Sequence, residues 1–422
     1  MISNLVLIEH PTHEETLYPF SILHLPWELR YGAMTLVETW LQLTGASLLE
    51  CIGRPEHCAS FSVRYPEYCA HQLGVGKVLI ASSRLLPSKQ VVEEIAHAAS
   101  SANDPVCYFI QNELVALACS FHEWEQLAIS DWYQLEQIAT THSWVAKKLT
   151  CGNQLTYVWD LFDRIGDVIT EQYEYFAESD QDSSIRGAKS IVLLNADAIA
   201  IGEGSSIAPM VVFDASRGPI IIGKNVTIMP HSTIFGPCAI GDHAVVKAGA
   251  TIYPNTTIGR WCKVGGEIEC SIFQDYSNKQ HDGFVGHSFI SEWVNIGAGA
   301  NTSNLKNTYR PISVELPSRI IATGRTFLGL LCGDHTKAGI ATMFSTGTVV
   351  GICANIFGAG YTPTFISSFT WGAISGKKLY AIETALDTAR RSMARRGRQL
   401  FAEEETLIRR EFERIAAEQH HT

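Results

Sequence analysis

No stretch of this 422-residue chain stays apolar for the roughly 18 residues a membrane span requires, which excludes a transmembrane helix. The opening MISNLVLIEHPTHEE has neither a basic start nor a small-residue cleavage site, so no secretory signal is read there and a cytoplasmic protein is expected. The 11 cysteines contain no C-x-x-C pair, which argues against a zinc ribbon, and their odd number argues against a closed disulfide framework. They are expected as buried thiols that pack like small apolar groups. Basic charge is in deficit: the net charge of −11 excludes nonspecific nucleic-acid binding, which needs a basic face. Charged residues are only 18% of the chain and hydrophobic ones 46%, a balance that excludes wholesale disorder and supports two or three packed domains.

What is present is a repeat. Ile222, Ile228, Ile234, Ile240, Val246, Ile252, Ile258 and Val264 recur every six residues, all β-branched. The residue four places after each is mostly small, as at Ser232, Cys238, Ala244, Ala250 and Cys262. A period of six suits neither a helix nor a hairpin; it fits a hexapeptide β-helix, in which each hexad supplies one short strand and one turn and three hexads close a coil of about 18 residues. The aliphatic side chains point inward and stack from coil to coil. The frame starts at Ile201 and Ile207 and breaks at Phe213–Pro219, read as a protruding loop. After Val264 it slips by two, resumes at Ile272, Asn278, Phe284, Ile290 and Ile296, gives way to an excursion over 301–320, and returns at Met343 and Val349.

The flanks carry no hexads. Residues 1–180 mix apolar runs (LVLIEH, KVLIASSRLL, CYFIQNELVALAC) with polar helical stretches and predict an α/β domain, closed by a helical linker near Leu161–Glu178. The β-helix is assigned to 185–372. Residues 376–420 predict one long C-terminal helix with a docking stripe through Leu379, Ile382, Leu386, Met393, Leu407 and Phe412, and with Gly397 as its point of interruption. Its arginines are offset by acids, so its outer face is read as solvated rather than as a membrane or nucleic-acid surface.

Two segments, KVGGEIECSIFQDYSNKQHDGFVGHSFISEWVNIGAGANTSNLKN (263–307) and GDHTKAGIATMFSTGTVVGICANIFGAG (333–360), resemble the GlmU-like sugar nucleotidyltransferases, most of all a branch found in Bacteroidetes. YVWDLF (157–162) resembles the closing motif of the nucleotidyltransferase domain. The resemblance implies a degenerate nucleotidyltransferase-like α/β domain, a left-handed parallel β-helix of the acetyltransferase type and a C-terminal helix. It also implies a cytoplasmic homotrimer making UDP-N-acetylglucosamine or a related sugar nucleotide. Acetyl-CoA would donate an acyl group to an amino-sugar phosphate, and Mg²⁺ would accompany any nucleotidyl transfer. His281 falls on the family's catalytic histidine. Lys247 falls where the family binds phosphate, with Lys263 a second cation for it. Asn295 and Asn304 fall on acceptor positions, and Ala298, Gly329 and Leu330 on the acetyl-CoA side. The chemistry is coherent: an attacking amine must lose a proton, and histidine ordinarily titrates near neutrality.

The likeness has gaps. Phe284 stands where the family has a tyrosine, and a lysine expected before the histidine does not align. The N-terminus lacks the glycine-rich loop that cradles a nucleotide; it retains P-x-x-x-R-x-G as Pro26–Arg30–Gly32, followed by Trp40, which makes Arg30 the candidate phosphate contact there. Asp104 and Asp160 are weak Mg²⁺ candidates, and GVGK (74–77) is too short for a phosphate loop. Three competing readings stand beside a bifunctional enzyme: a nucleotidyltransferase whose β-helix only trimerises it, a non-catalytic scaffold, and a zinc site of the γ-carbonic-anhydrase kind built from among His231, His243, His281, His287 and His335. A resident metal is not expected.

Overall fold

The computed structural model describes residues 2–68, 75–102, 104–177, 190–374 and 378–420. The domain boundaries near 180–185 and at Gly376, and Gly74 of the GVGK run, lie outside them. Among the described residues no helix is long and apolar enough to cross a membrane.

The N-terminal domain is built on a six-stranded sheet. The Ile2–Ile8 strand, second from one edge, is flanked in parallel by the edge strand Ser47–Ile52 and by Lys77–Ser82. Glu113–Ser120 adds to the latter antiparallel, then Val106–Ile110 and finally Val145–Lys148. Leu5–Ile8 of the Ile2–Ile8 strand is a continuous buried apolar run because its alternate side chains enter cores on both faces of the sheet, as parallel strands require. The Leu36–Thr44 helix shows how local sequence sets the elements. Thr35 and Glu38 form a reciprocal capping box at its start, and Gly45, at φ 63°, closes its end.

From Ile199 the chain winds into a three-sided parallel β-helix, with sheets of six, nine and ten strands. Its regular coils repeat every 18 residues, pairing Ile222 with Ile240 and Ile240 with Ile258. Every member of the six-residue aliphatic series is buried in one core, from Ile222 at 2% exposure to Val264 at 0%. At about 2 kcal/mol for each such side chain removed from water, this column is the main driving force for the coil. The frame slip is a shortened coil: Ile258 pairs with Phe273, and Phe273 with Ile290. Phe213, expected in a loop, instead holds its place in the frame, fully buried on the Val212–Asp214 strand; only Ala215–Pro219 departs from it. The 301–320 excursion runs on to about 327 and carries an antiparallel hairpin of Ser313–Glu315 with Ile320–Ala322.

The outward positions of the nine-stranded sheet are also apolar. Ile221, Ala239, Ile272, Phe289, Leu331 and Val349 belong to the same hydrophobic cluster as the N-terminal domain, which therefore sits on that face. The ten-stranded sheet turns a polar face outward at Lys263, Asn278, Asn295 and Lys337. The expected single C-terminal helix is two, Ile382–Ala394 and Ala402–His420, because Gly397 takes φ 66° and breaks the hydrogen-bond ladder. The second packs on the Pro55–Arg64 helix of the first domain, so the chain closes on itself.

Candidate functional site

Where the first C-terminal helix crosses the ten-stranded face, a cavity of about 290 Å³ opens. Lys263, Lys337, Arg395 and Arg396 line it together with Asn278, Gln280, Asn295 and Ser392, and no carboxylate does. Successive coils place Lys263, Asn278, Asn295 and Lys337 side by side, because each occupies the same outward position of its strand. The cations strain against one another. Burial, then Arg396, Lys247 and Arg395, hold the Lys263 ammonium below its ordinary pKa. Burial pushes Lys337 down to about 8, while its Nζ donates to the Trp293 carbonyl at 2.6 Å. Such a cluster is relieved by an anion, and guanidinium and ammonium groups together suit a phosphate.

Beside this cavity runs one corner of the β-helix, formed by Lys247–Gly249, Gln280–Gly283 and Gly297–Ala300. Its coils are tied by Gly299 N–H to Asp282 O and by Ala341 N–H to Ala298 O. His281 stands exposed here, its imidazole without a hydrogen bond among the described residues. Gln280, its neighbour in sequence, lines the cavity. Lys279 fixes this corner, and sequence reasoning passed over it. Its side chain fills an inward slot where the frame has aliphatics, is 0% exposed, and donates to the carbonyls of His281, Asp282 and Gly265. A charged residue in an aliphatic column was the signal. Gly266, at φ 70°, makes room for it: a Cβ there would lie 2.9 Å from Lys279 Nζ and 2.5 Å from Gly283 O.

The structure thus brings together Lys247, Lys263, Asn295, Ala298 and His281. It takes other candidates elsewhere. Asn304 donates to His287 Nδ1 at 3.0 Å at a different corner. Gly329 donates its N–H to His287 O there, and Leu330 is fully buried in the coil interior, so its side chain faces no cosubstrate. Arg30 is 1% exposed and committed, with Nη2 on Asp275 at 2.5 Å and Nη1 on the Ala33 carbonyl at 3.0 Å; it joins the domains instead of facing a phosphate. Of the five histidines weighed for zinc, His243 and His335 share one corner, His231 and His281 a second, and His287 the third.

In the first domain, the strand ends where a glycine loop would hold a nucleotide are filled by side chains. Glu9 binds Arg54 at 2.9 Å, and Ser83 contacts His13 Nδ1 at 2.9 Å. For Mg²⁺ the residues fit poorly: Asp160 accepts the N–H groups of Thr156 and Tyr157, and Asp104 is exposed in the turn before Val106.

A second charged cluster lies buried where the first domain, the β-helix and the C-terminal helix meet. Arg64 reaches Glu28 at 2.6 Å, Glu292 at 3.0 Å and Glu404 at 3.5 Å. His24 contacts Asp334 at 2.8 Å. Burial opposes charge on His24, but the Asp334 carboxylate outweighs it and favours the imidazolium; burial raises Glu292. Among the described residues His24, Glu292 and Asp334 are the one group whose ligand atoms converge closely enough for a metal. Arg64 pairs with Glu292, and His24 and the Glu292 N–H bind Asp334 Oδ1, which leaves only Asp334 Oδ2 without a hydrogen-bond partner.

Several histidines are held neutral by burial: His13, His57 and His335 at about 3, His10 and His287 at about 4. In the unfolded chain they titrate near 6.5, so between pH 6.5 and 4 the unfolded state binds more protons and stability falls as pH falls. Urea midpoints should decline steeply over that window, and a flat profile would contradict these assignments.

Comparison with known proteins gives matches on both halves. A family model described as sugar nucleotidyl transferase matches residues 5–181, and one described as bacterial transferase hexapeptide (six repeats) matches residues 219–254. The uncharacterized acetyltransferase YaiX of Escherichia coli is 31% identical over 146 residues, 34% of this chain and 64% of that protein. The bifunctional sugar-1-phosphate nucleotidylyltransferase/acetyltransferase of Sulfurisphaera tokodaii is 30% identical over 143 residues, 33% of this chain and 36% of that one. The matches thus span less than two thirds of the length of these curated relatives. Among solved structures, an Arabidopsis UDP-N-acetylglucosamine acyltransferase is 16% identical, with 50% of this chain and 78% of that chain covered and a TM-score of 0.27.

Proposed function

We propose that this chain, a sugar nucleotidyl transferase domain joined to a hexapeptide β-helix, transfers an acyl group from acetyl-CoA to the amine of a phosphorylated amino sugar. The observation that carries this is the carboxylate-free cavity of Lys263, Lys337, Arg395 and Arg396, set beside the corner that displays His281. The cations and Asn295 hold the sugar phosphate. His281 takes the proton of the attacking nitrogen. The thioester lies along the corner at Gly297–Ala300, where small residues leave room; the N–H groups of Gly297, Gly299 and Ala300 are tied to Ala338 O, Asp282 O and Gly297 O, so the N–H assigned to the developing oxyanion is that of Ala298. Ala298 is part of that track. The relatives named as acetyltransferases support the same donor. Three copies packed around the β-helix axis are the expected assembly.

The first domain is proposed to serve structure instead of nucleotidyl chemistry, since Glu9, Arg54, His13 and Ser83 occupy its strand ends.

Lys263→Ala tests the phosphate assignment. Loss of one charge-assisted contact, about 1.5–3 kcal/mol, should raise the KM for glucosamine 1-phosphate about 10- to 100-fold and leave kcat within a few-fold. An unchanged KM would sink the assignment.

A further inference from the structure

A second cavity of about 290 Å³ adjoins the basic one, and Tyr276 and Trp293 line both. Its walls differ in kind. One corner of the β-helix presents bulky residues in the left-handed conformation on successive coils: His243, Trp261, Tyr276 and Trp293, at φ 59° to 64°. They form two stacked pairs, His243 on Trp261 with centroids 4.3 Å apart and Tyr276 on Trp293 at 4.2 Å. Trp261 of one pair and Tyr276 of the other both face the cavity. Arg398 lies over the Tyr276 ring at 5.6 Å and donates to its hydroxyl at 2.9 Å. Glu67, Asp275, Glu292 and Glu404 also line this chamber together with Arg64, Arg260 and Arg398, so its charges offset one another, whereas the basic chamber has cations and no carboxylate.

The two chambers therefore select opposite ends of one ligand. Cations without acids take phosphate. Flat rings take a planar heterocycle, and the acids around them, paired with arginines, leave no excess of cations to compete for the phosphates. We infer that the acceptor is a sugar carried on a nucleoside diphosphate, its base against Trp261 and Tyr276 and its phosphates against Lys263, Lys337, Arg395 and Arg396. This rests on the acyl-transfer reading of the basic cavity and adds the nucleotide to it. The same ring-plus-diphosphate chemistry occurs in the adenosine end of coenzyme A, so the experiment must separate the two sources.

Calorimetric titration of the full-length protein with UDP, inorganic pyrophosphate and desulfo-coenzyme A does so. UDP should bind at least about tenfold more tightly than pyrophosphate, as stacking of one base on an aromatic residue provides. Trp261→Asn should remove that advantage and leave pyrophosphate binding unchanged; asparagine tolerates the left-handed backbone, so the corner is preserved. UDP should also still bind when desulfo-coenzyme A is saturating. UDP no tighter than pyrophosphate would overturn the nucleotide while leaving the phosphate cavity standing. Displacement of UDP by desulfo-coenzyme A would assign the rings to the donor and overturn the inference. No binding of UDP or pyrophosphate would overturn the inference together with the cavity reading beneath it.

Discussion

Replacing His281 by alanine should lower kcat for acyl transfer about 10²- to 10⁴-fold, the range lost when a general base is removed. KM should change little, because the phosphate is held by Lys263 and Lys337 on other strands and by Arg395 and Arg396 in the turn after the Ile382–Ala394 helix. Folding should be unaffected. The imidazole is exposed, and the main chain beneath it is held from inside the coil by Lys279, whose ammonium binds the carbonyls of residues 281 and 282. A structural role predicts loss of thermal stability in step with activity; the assignment made here predicts none. Activity within about twofold of wild type would exclude His281 as the base.

Arg64→Leu should have the largest effect on stability. Arg64 is the shared partner of three acids from three parts of the chain: Glu28 in the first domain, Glu292 on the β-helix and Glu404 on the last helix. All lie out of water, with side-chain exposures of 3% to 14%. Removing the arginine leaves these charges buried and uncompensated, which typically costs about 3–5 kcal/mol. Arg64→Lys keeps the charge but not the planar fork and should fall between. Chemical unfolding read at tryptophans in both domains checks this. A change under about 1 kcal/mol would mean that the network does not hold the domains together. Paired limited proteolysis should show the C-terminal helices released first.

The β-helix was legible because its physics is local. A side chain that must point inward every sixth residue writes itself into the sequence, and Ile222 to Val264 could be assigned from spacing alone. The slip after Val264 was legible as a break, but the resumption expected at Ile272, Asn278 and Phe284 is one residue off: the inward side chains are Phe273, Lys279 and Val285, because the coil is shortened between Ile258 and Phe273, a register that appears only in the pairing. Phe213 was misplaced because a three-residue interruption after it hid an in-frame aromatic. The α/β class of the first domain was visible in its apolar runs; its sheet order was not, since that depends on contacts distant in sequence. The same limit governs the site. Lys263 and Asn295 could be named from motif position, and the β-helix does align them. Arg395 and Arg396, which complete the cavity, lie 100 or more residues away, in the turn that ends a helix whose surface looked merely solvated. Arg30 and Leu330 looked functional by motif, yet their surroundings commit them to a domain contact and to the core.

The central claim is that the basic cavity and the His281 corner form one acyl-transfer site. Its most direct test is release of free thiol from acetyl-CoA by purified protein offered glucosamine 1-phosphate and, separately, UDP-glucosamine. The account predicts acceptor-dependent release with at least one of them, faster with the nucleotide-linked sugar, and lost in His281→Ala. No release above background with either acceptor, or release that His281→Ala leaves intact, would contradict it.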